Sequence, residues 1–352
     1  MKLRRIVACL ATSLLTAQGA QAATIHLINT GGVEAGSAAF IGFSAAASFW
    51  ESVLGDNVTL NFNVGFNSAG FADNVLGQTS SSSNSKTQVA WRAALIADST
   101  TPLDAVATAH LATFTNANVN LNTTVQKALG LYTGTANASD ASITFNSNQP
   151  FDFDTRDGFG TVASDFVAVA VHEMGHALGF VSAVASNSTN NSRPSNTDLF
   201  RYQNGAFSMA WGADPYFSID GGATQVFGRS GFANGADGFQ TSHWKDGARI
   251  FQAGTCTQLL EPQIGIMDPT GGICQQGIVT AQDLAMMDAL GWNLNMDILA
   301  NSDYQLNTAQ ILQNYLDATA AVPEPSSWAL FAAGLGFSGV ALRRRRSQAD
   351  KA

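Results

Sequence analysis

Val171-His172-Glu173-Met174-Gly175-His176-Ala177-Leu178-Gly179-Phe180 reads H-E-x-x-H-x-x-G, and the fold is read outward from it. The run before it, Ser164 to Val171, is apolar and suits a helix, with Ser164 or Asp165 as the N-cap. On a helix, His172 and His176 share one face with Cβ atoms roughly 5–6 Å apart. Two imidazoles at that spacing can bind one tetrahedral zinc ion. Glu173 projects about 100° around the helix from the first histidine, which sets a carboxylate beside the metal as general base for an activated water. Gly179 supplies the residue that a left-handed helix end requires. The competing reading is an amphipathic helix whose histidines serve only packing. Two histidines four apart on a very apolar helix, followed by that glycine, favour the metal.

The motif resembles that of the metzincin zinc metalloproteases, and within them the leishmanolysin-like branch. The usual pattern has a third histidine three residues after the glycine, where this chain has Ser182, a poor zinc ligand. Leishmanolysin-like enzymes place a long insertion before a distal His-Trp pair, and Thr241-Ser242-His243-Trp244 offers one. Gly265-Ile266-Met267-Asp268-Pro269 looks like the Met-turn, with Met267 as the apolar floor of the site. The resemblance spans residues 23–295. It implies an α+β fold: an upper lobe of mixed sheet and long helices that include the motif helix, and a lower lobe with a β-rich insertion, the Met-turn and a C-terminal helix. It also implies Zn2+ on His172, His176 and His243, Glu173 as the catalytic base, and a zinc metalloendopeptidase acting on peptide or protein substrates. Asp198, and less well Glu261, are the acidic rivals of His243 as third ligand. His26 and His110 read as ordinary strand and helix residues. The alternative of another class is a matrix- or surface-binding protein that keeps the fold without cutting, and the intact Glu173 argues against it. A purely structural zinc would need four protein ligands.

Both ends of the chain carry signals. Lys2, Arg4 and Arg5, the apolar run Ile6 to Ala17, and Ala20-Gln21-Ala22 form a leader for signal peptidase, with the mature chain starting at Ala23. At the other end, Val322-Pro323-Glu324-Pro325 precedes an apolar run from Trp328 to Leu342 and then Arg343 to Arg346. This order resembles the PEP-CTERM signal handled by an exosortase-type sorting enzyme in Gram-negative bacteria. It implies a transient transmembrane helix and an exported, secreted or cell-surface protein; a plain C-terminal anchor is the alternative. Three of the 17 Lys and Arg lie in the leader and five after Leu342, and two of the 26 acids follow Ala321, so residues 23–321 carry a net charge of −15. That balance argues against a nucleic-acid partner. Of the three cysteines, Cys9 lies in the leader, which leaves Cys256 and Cys274 to form a disulfide in an oxidising compartment. The bond would bracket the Met267 turn.

The expected divisions are a leader at 1–22, an N-terminal lobe with the zinc helix at 23–180, a C-terminal lobe at 181–296, a helix and linker at 297–321, and the sorting signal at 322–346. Thr24 to Asn29 and Asn57 to Phe66 alternate as strands around a long helix from Glu34 to Leu54. The polar run Gln78 to Ser85 reads as a loop. Helices are expected at Thr87 to Ala97, Pro102 to Ala112 and Thr124 to Leu131. Ala141 to Phe145 reads as a short strand, which the resemblance to the metzincins implies is the sheet edge on which a substrate would lie, followed by a loop from Asn146 to Asp157. Asp152, Asp154 and Asp157 in that loop stand open between a Ca2+ site and solvated or capping acids. Within the insertion, Val181 to Gln240, short strands are expected at Asp198 to Tyr202, Tyr216 to Ile219 and Thr224 to Phe227. Thr280 caps a helix from Ala281 to Leu290 that ends at Gly291, and Asn307 to Leu316 forms a last helix.

Overall fold

The computed structural model describes residues 22–158, 161–186, 193–247 and 263–320. The chain opens with β1 (Thr24–Asn29), α1 (Ala38–Val53), β2 (Thr59–Asn67), β3 (Gly77–Ser81) and β4 (Ser83–Thr87). It continues through α2 (Gln88–Asp98), α3 (Pro102–Ala109), β5 (Asn118–Asn122), α4 (Thr123–Ala128) and β6 (Ala141–Asn146). Two-residue strands β7 (Phe151–Asp152) and β8 (Ser164–Asp165) pair in parallel just before α5 (Phe166–Leu178), the motif helix. The insertion holds β9 (Arg201–Gln203), β10 (Ala206–Phe207) and β11 (Tyr216–Phe217). β12 (Ile278–Thr280), α6 (Ala281–Leu290), β13 (Gln305–Asn307) and α7 (Thr308–Ala320) complete it. The fold is α+β, as expected.

The main sheet has the order β1-β2-β6-β3, parallel through β1, β2 and β6 and closed by antiparallel β3. Two expectations are corrected here. The run 78–85 is strand, not loop: residues 77–81 pair with β6 in register, from Gly77 opposite Phe145 to Ser81 opposite Ala141, and 83–87 pair with β5. Ser, Thr and Asn gave no apolar alternation to read, because the strand is held by a neighbour's exposed edge and not by a hydrophobic face of its own. Ala141 to Phe145 is consequently an interior strand, and β3 is the edge beside α5.

Smaller differences have local causes. The first helix starts at Ala38, not Glu34, because the Ser37 hydroxyl accepts from Phe40 N as the N-cap. Helix α3 stops at Ala109, with His110 as its C-cap. The expected loop from Asn146 to Asp157 contains β7 and a 3-10 turn over Thr155–Asp157. In the insertion, residues 196–200 form a 3-10 turn, and 224–227 make no strand but run into another 3-10 turn, Val226–Gly228.

One apolar core joins the sheet, α1, α5, α6 and α7, with Phe43, Phe145, Phe166, Met286 and Trp292 at its centre. α1 and α7 both pack on α5. Two indoles fix that helix along its length: Trp50 Nε1 donates to Val171 O at 3.2 Å, and Trp292 Nε1 donates to Leu178 O at 2.9 Å. At its start the Asp165 carboxylate, not Ser164, caps Ala168 N at 3.0 Å. At its end Gly179 has φ +124°, and a Cβ there would meet Val125 Cγ2 at 2.5 Å, so both backbone and space require glycine.

Candidate metal centre

The site is built on α5. His172 and His176 point from adjacent turns to one place, where His243 arrives from the end of the insertion. The three Nε2 atoms lie 3.1 Å (His172–His176), 3.2 Å (His176–His243) and 3.3 Å (His172–His243) apart. Each Nδ1 faces a carbonyl that can only accept: Ile266 O at 2.7 Å for His172, Phe180 O at 2.7 Å for His176, and Gln240 O at 3.0 Å for His243. The ring proton therefore sits on Nδ1 in all three, and Nε2 carries a lone pair. Burial pushes His172 down to about 4 and His243 down to about 3, and burial together with its two histidine neighbours holds His176 well below the usual imidazole value, so the rings are neutral near pH 7.

Three lone pairs converging without a proton between them repel one another unless a cation sits among them. Nitrogen ligands of a tetrahedral ion at 2.0–2.1 Å are about 3.3 Å apart, so the donor set fits such an ion. Among the described residues this is the one His/Cys/Asp/Glu group that could hold a metal. Asp198 is not part of it. It is fully buried and accepts from Ser182 Oγ (2.6 Å), Ala183 N (2.8 Å) and Ser195 N (3.0 Å), which also accounts for Ser182. Glu261 lies outside the described residues. His26 sits in β1, and His110 Nδ1 faces Val106 O, both away from the cluster. In the acidic loop, Asp154 is tied to the Arg156 guanidinium and Asp152 accepts from Asp154 N, so these acids serve their own loop.

The supports of the three histidines come from distant segments. Met267 is fully buried, and a Cβ on Gly175 would lie 2.3 Å from its sulfur. The thioether thus packs flat on the helix between the two motif histidines, where only glycine leaves room. Trp244, next to His243, is sandwiched edge-on by Phe180 at 4.8 Å and stacked by Phe232 at 5.1 Å. Its Nε1 donates to Asp283 Oδ1 at 2.8 Å. The same buried carboxylate accepts from Thr280 N, Ile266 N and Met267 N. Asp283 thus binds the start of α6, the Met267 turn and the Trp244 indole into one unit. Its place in the Thr280-x-x-Asp283 capping box is legible in sequence, but its reach to Trp244 is not.

Glu173 follows the first histidine and is nearly buried. Burial pushes its carboxyl up to about 7, against a hydrogen bond from Thr79 that favours the charged form. Thr79 was assigned to a loop by the sequence, and nothing there pointed to it. A cleft of about 800 Å³ runs over the site, lined by Gly77, Gln78 and Thr79 of β3 and by Gln240, Ile266 and Thr270. Cys274 is disulfide-bonded, while Cys256, the partner expected for it, lies outside the described residues.

Residues 321–346 match the family model of the PEP-CTERM protein-sorting motif. The match marks an exported protein of the kind that exosortase-type enzymes sort to a C-terminal membrane attachment in Gram-negative bacteria. The match and the expected membrane helix within it lie outside the described residues, as does the expected leader through Gln21. No described helix is long and apolar enough to cross a membrane. No curated protein and no solved structure matches the chain.

Proposed function

We propose that the chain is an exported zinc-dependent endopeptidase of the metzincin type, with His172, His176 and His243 as the metal ligands and Glu173 as the general base. The observation that carries this reading is the triangle of three unprotonated Nε2 atoms with a carboxylate on the next residue, all opening on one cleft. Three imidazole donors with a fourth position left open match a catalytic zinc site; imidazole also suits copper, iron and nickel, so metal analysis identifies the ion. When bound, zinc supplies Lewis-acid polarisation of a carbonyl and lowers the pKa of water to about 7.

The protein's own groups do the rest. The three backbone carbonyls at Nδ1 fix each ring's tautomer and direction. Glu173, next to the first ligand and facing the cleft, is placed to take a proton from an attacking water and return it to the leaving amine. Strand β3 has β6 on one side only, so its other edge offers unpaired N–H and C=O groups to an extended peptide. In this reading the substrate docks on β3, and not on the strand expected from sequence, because β3 is the edge of the sheet. The two-lobed division at residue 180 goes with this reading, the cleft lying between the segments before and after α5.

Metal analysis and casein cleavage on residues 23–321, beside Glu173→Ala, test the proposal. The variant is expected to keep one zinc per chain and its fold while losing about 10²–10⁴ in rate. Cleavage by the variant at the wild-type rate would sink the mechanism; an inert wild type carrying zinc would sink the activity.

A further inference from the structure

The edge strand does more than line the cleft. Its alternate residues Gly77, Thr79 and Ser81 turn to α5, at the period of two that a strand imposes. Ser81 Oγ donates to His176 O at 3.3 Å. A Cβ on Gly77 would lie 3.2 Å from Glu173 Oε1 and 3.0 Å from the Phe145 ring. Between them, Thr79 Oγ1 lies 2.7 Å from Glu173 Oε2 and 3.0 Å from Glu173 O. A hydroxyl has one proton, and the shorter contact to a carboxylate takes it. Among the described residues, no other hydrogen bond reaches the Glu173 carboxylate.

We infer that Thr79 is a positioning residue for the general base: its hydroxyl anchors Oε2 of Glu173 and leaves Oε1 as the oxygen that exchanges the proton. The assignment rests on the endopeptidase reading above. Threonine suits the task because its β-branch restricts χ1, and its backbone is registered opposite Ile143 of the interior strand β6. In peptide hydrolysis, the water O–H bond breaks, its oxygen bonds to the carbonyl carbon, and its proton goes to Oε1. The C–N bond then breaks as Oε1 returns that proton to the nitrogen. Oε2 keeps its hydrogen bond throughout. The strand proposed to receive the substrate's main chain also holds the base, so both are set by one element.

Thr79→Val removes the hydroxyl at nearly constant shape, and Thr79→Ser restores it. The full mature chain is assayed for zinc content, thermal midpoint, and kcat and KM on casein-derived peptide, and both variants are crystallised. We expect Thr79→Val to keep its zinc, midpoint and KM while kcat falls about 10- to 100-fold. Thr79→Ser should recover most of that loss. The Glu173 carboxylate should stay within hydrogen-bond distance of residue 79 in the Ser variant and turn away in the Val variant. Equal loss in both variants, a Val variant at the wild-type rate, a rise in KM with kcat kept, or an unmoved carboxylate overturns the inference. A wild-type protein that cuts nothing overturns the endopeptidase reading itself, and the positioning role with it.

Discussion

Single residues hold this site at positions that have no metal-binding chemistry of their own. Asp283 accepts from three backbone N–H groups and one indole, and each donor becomes a buried orphan if the carboxylate is removed. An unsatisfied buried donor costs about 1–3 kcal/mol, so Asp283→Ala should destabilise by about 3 kcal/mol or more. It should also weaken metal binding, because Trp244 is released beside His243. Urea unfolding and chelator competition check both, and a variant that binds zinc with wild-type affinity would remove Asp283 from the support of the site. At this scale the sequence was readable where spacing carries the geometry. His172, Glu173, His176 and Gly179 lie within eight residues on one helix, and the helix fixes their relations. His243 was found only through a resemblance, since its 67-residue separation from His176 has no period. Thr79 was not readable at all: its partner is 94 residues away, and its type is common in loops.

At the scale of elements, strongly patterned segments were legible and borrowed ones were not. α6 begins at Ala281 behind Thr280 and ends at Gly291 with φ +104°, as its capping residues dictate. β3 and β4 went unread because their partners, β6 and β5, supply the order. The packing of α6 on α3 creates a second feature with a measurable consequence. Asp288 of α6 receives Thr101 Oγ1 at 3.0 and 3.1 Å and faces Asp104, with Asp297 nearby, while Asp56 and Asp98 meet at Asn293. Burial pushes Asp288 up to about 8 and Asp56 and Asp98 up to about 6. These folded-state values stand above the unfolded value of about 3.9, so the native state binds more protons than the unfolded one between those limits. The stability they contribute is complete below about pH 4 and is lost as pH rises towards 8. The thermal midpoint should therefore rise on going from pH 8 to pH 6. Asp288→Asn should flatten that slope, since an amide can accept from Thr101 and donate to Asp104 in place of the protonated acid. An unchanged slope in the variant would mean that Asp288 does not titrate there.

Across the whole molecule, the acidic balance and the Pro-Glu-Pro tail were legible because composition and order suffice for them. The path of the insertion was not, since its short strands β9, β10 and β11 have only two or three residues each and take their places from contacts with each other. Metal removal is the test at this scale. In the proposed zinc enzyme, stripping the ion would leave three lone pairs facing one another at 3.1–3.3 Å, so chelator should lower the thermal midpoint together with the proposed activity. Readdition of zinc at 100 times its dissociation constant should return about 2.7 kcal/mol. Scanning calorimetry with and without chelator reads this, and a midpoint indifferent to a demonstrated loss of metal would show that the ion contributes nothing to the fold.

The meeting of His176 with His243 also sets an order of assembly. The two motif histidines come together as soon as one helix forms, but the third must wait until 67 residues of chain have been threaded back to it. Closing a loop of that length costs roughly 4 kcal/mol of chain entropy before any contact repays it. An ion that meets the nascent chain is gripped by two rings at most, and its hold tightens only when the insertion has docked. In the proposed zinc enzyme, full-strength metal capture is therefore the last step of folding, reached only after the insertion has docked His243 against the motif helix.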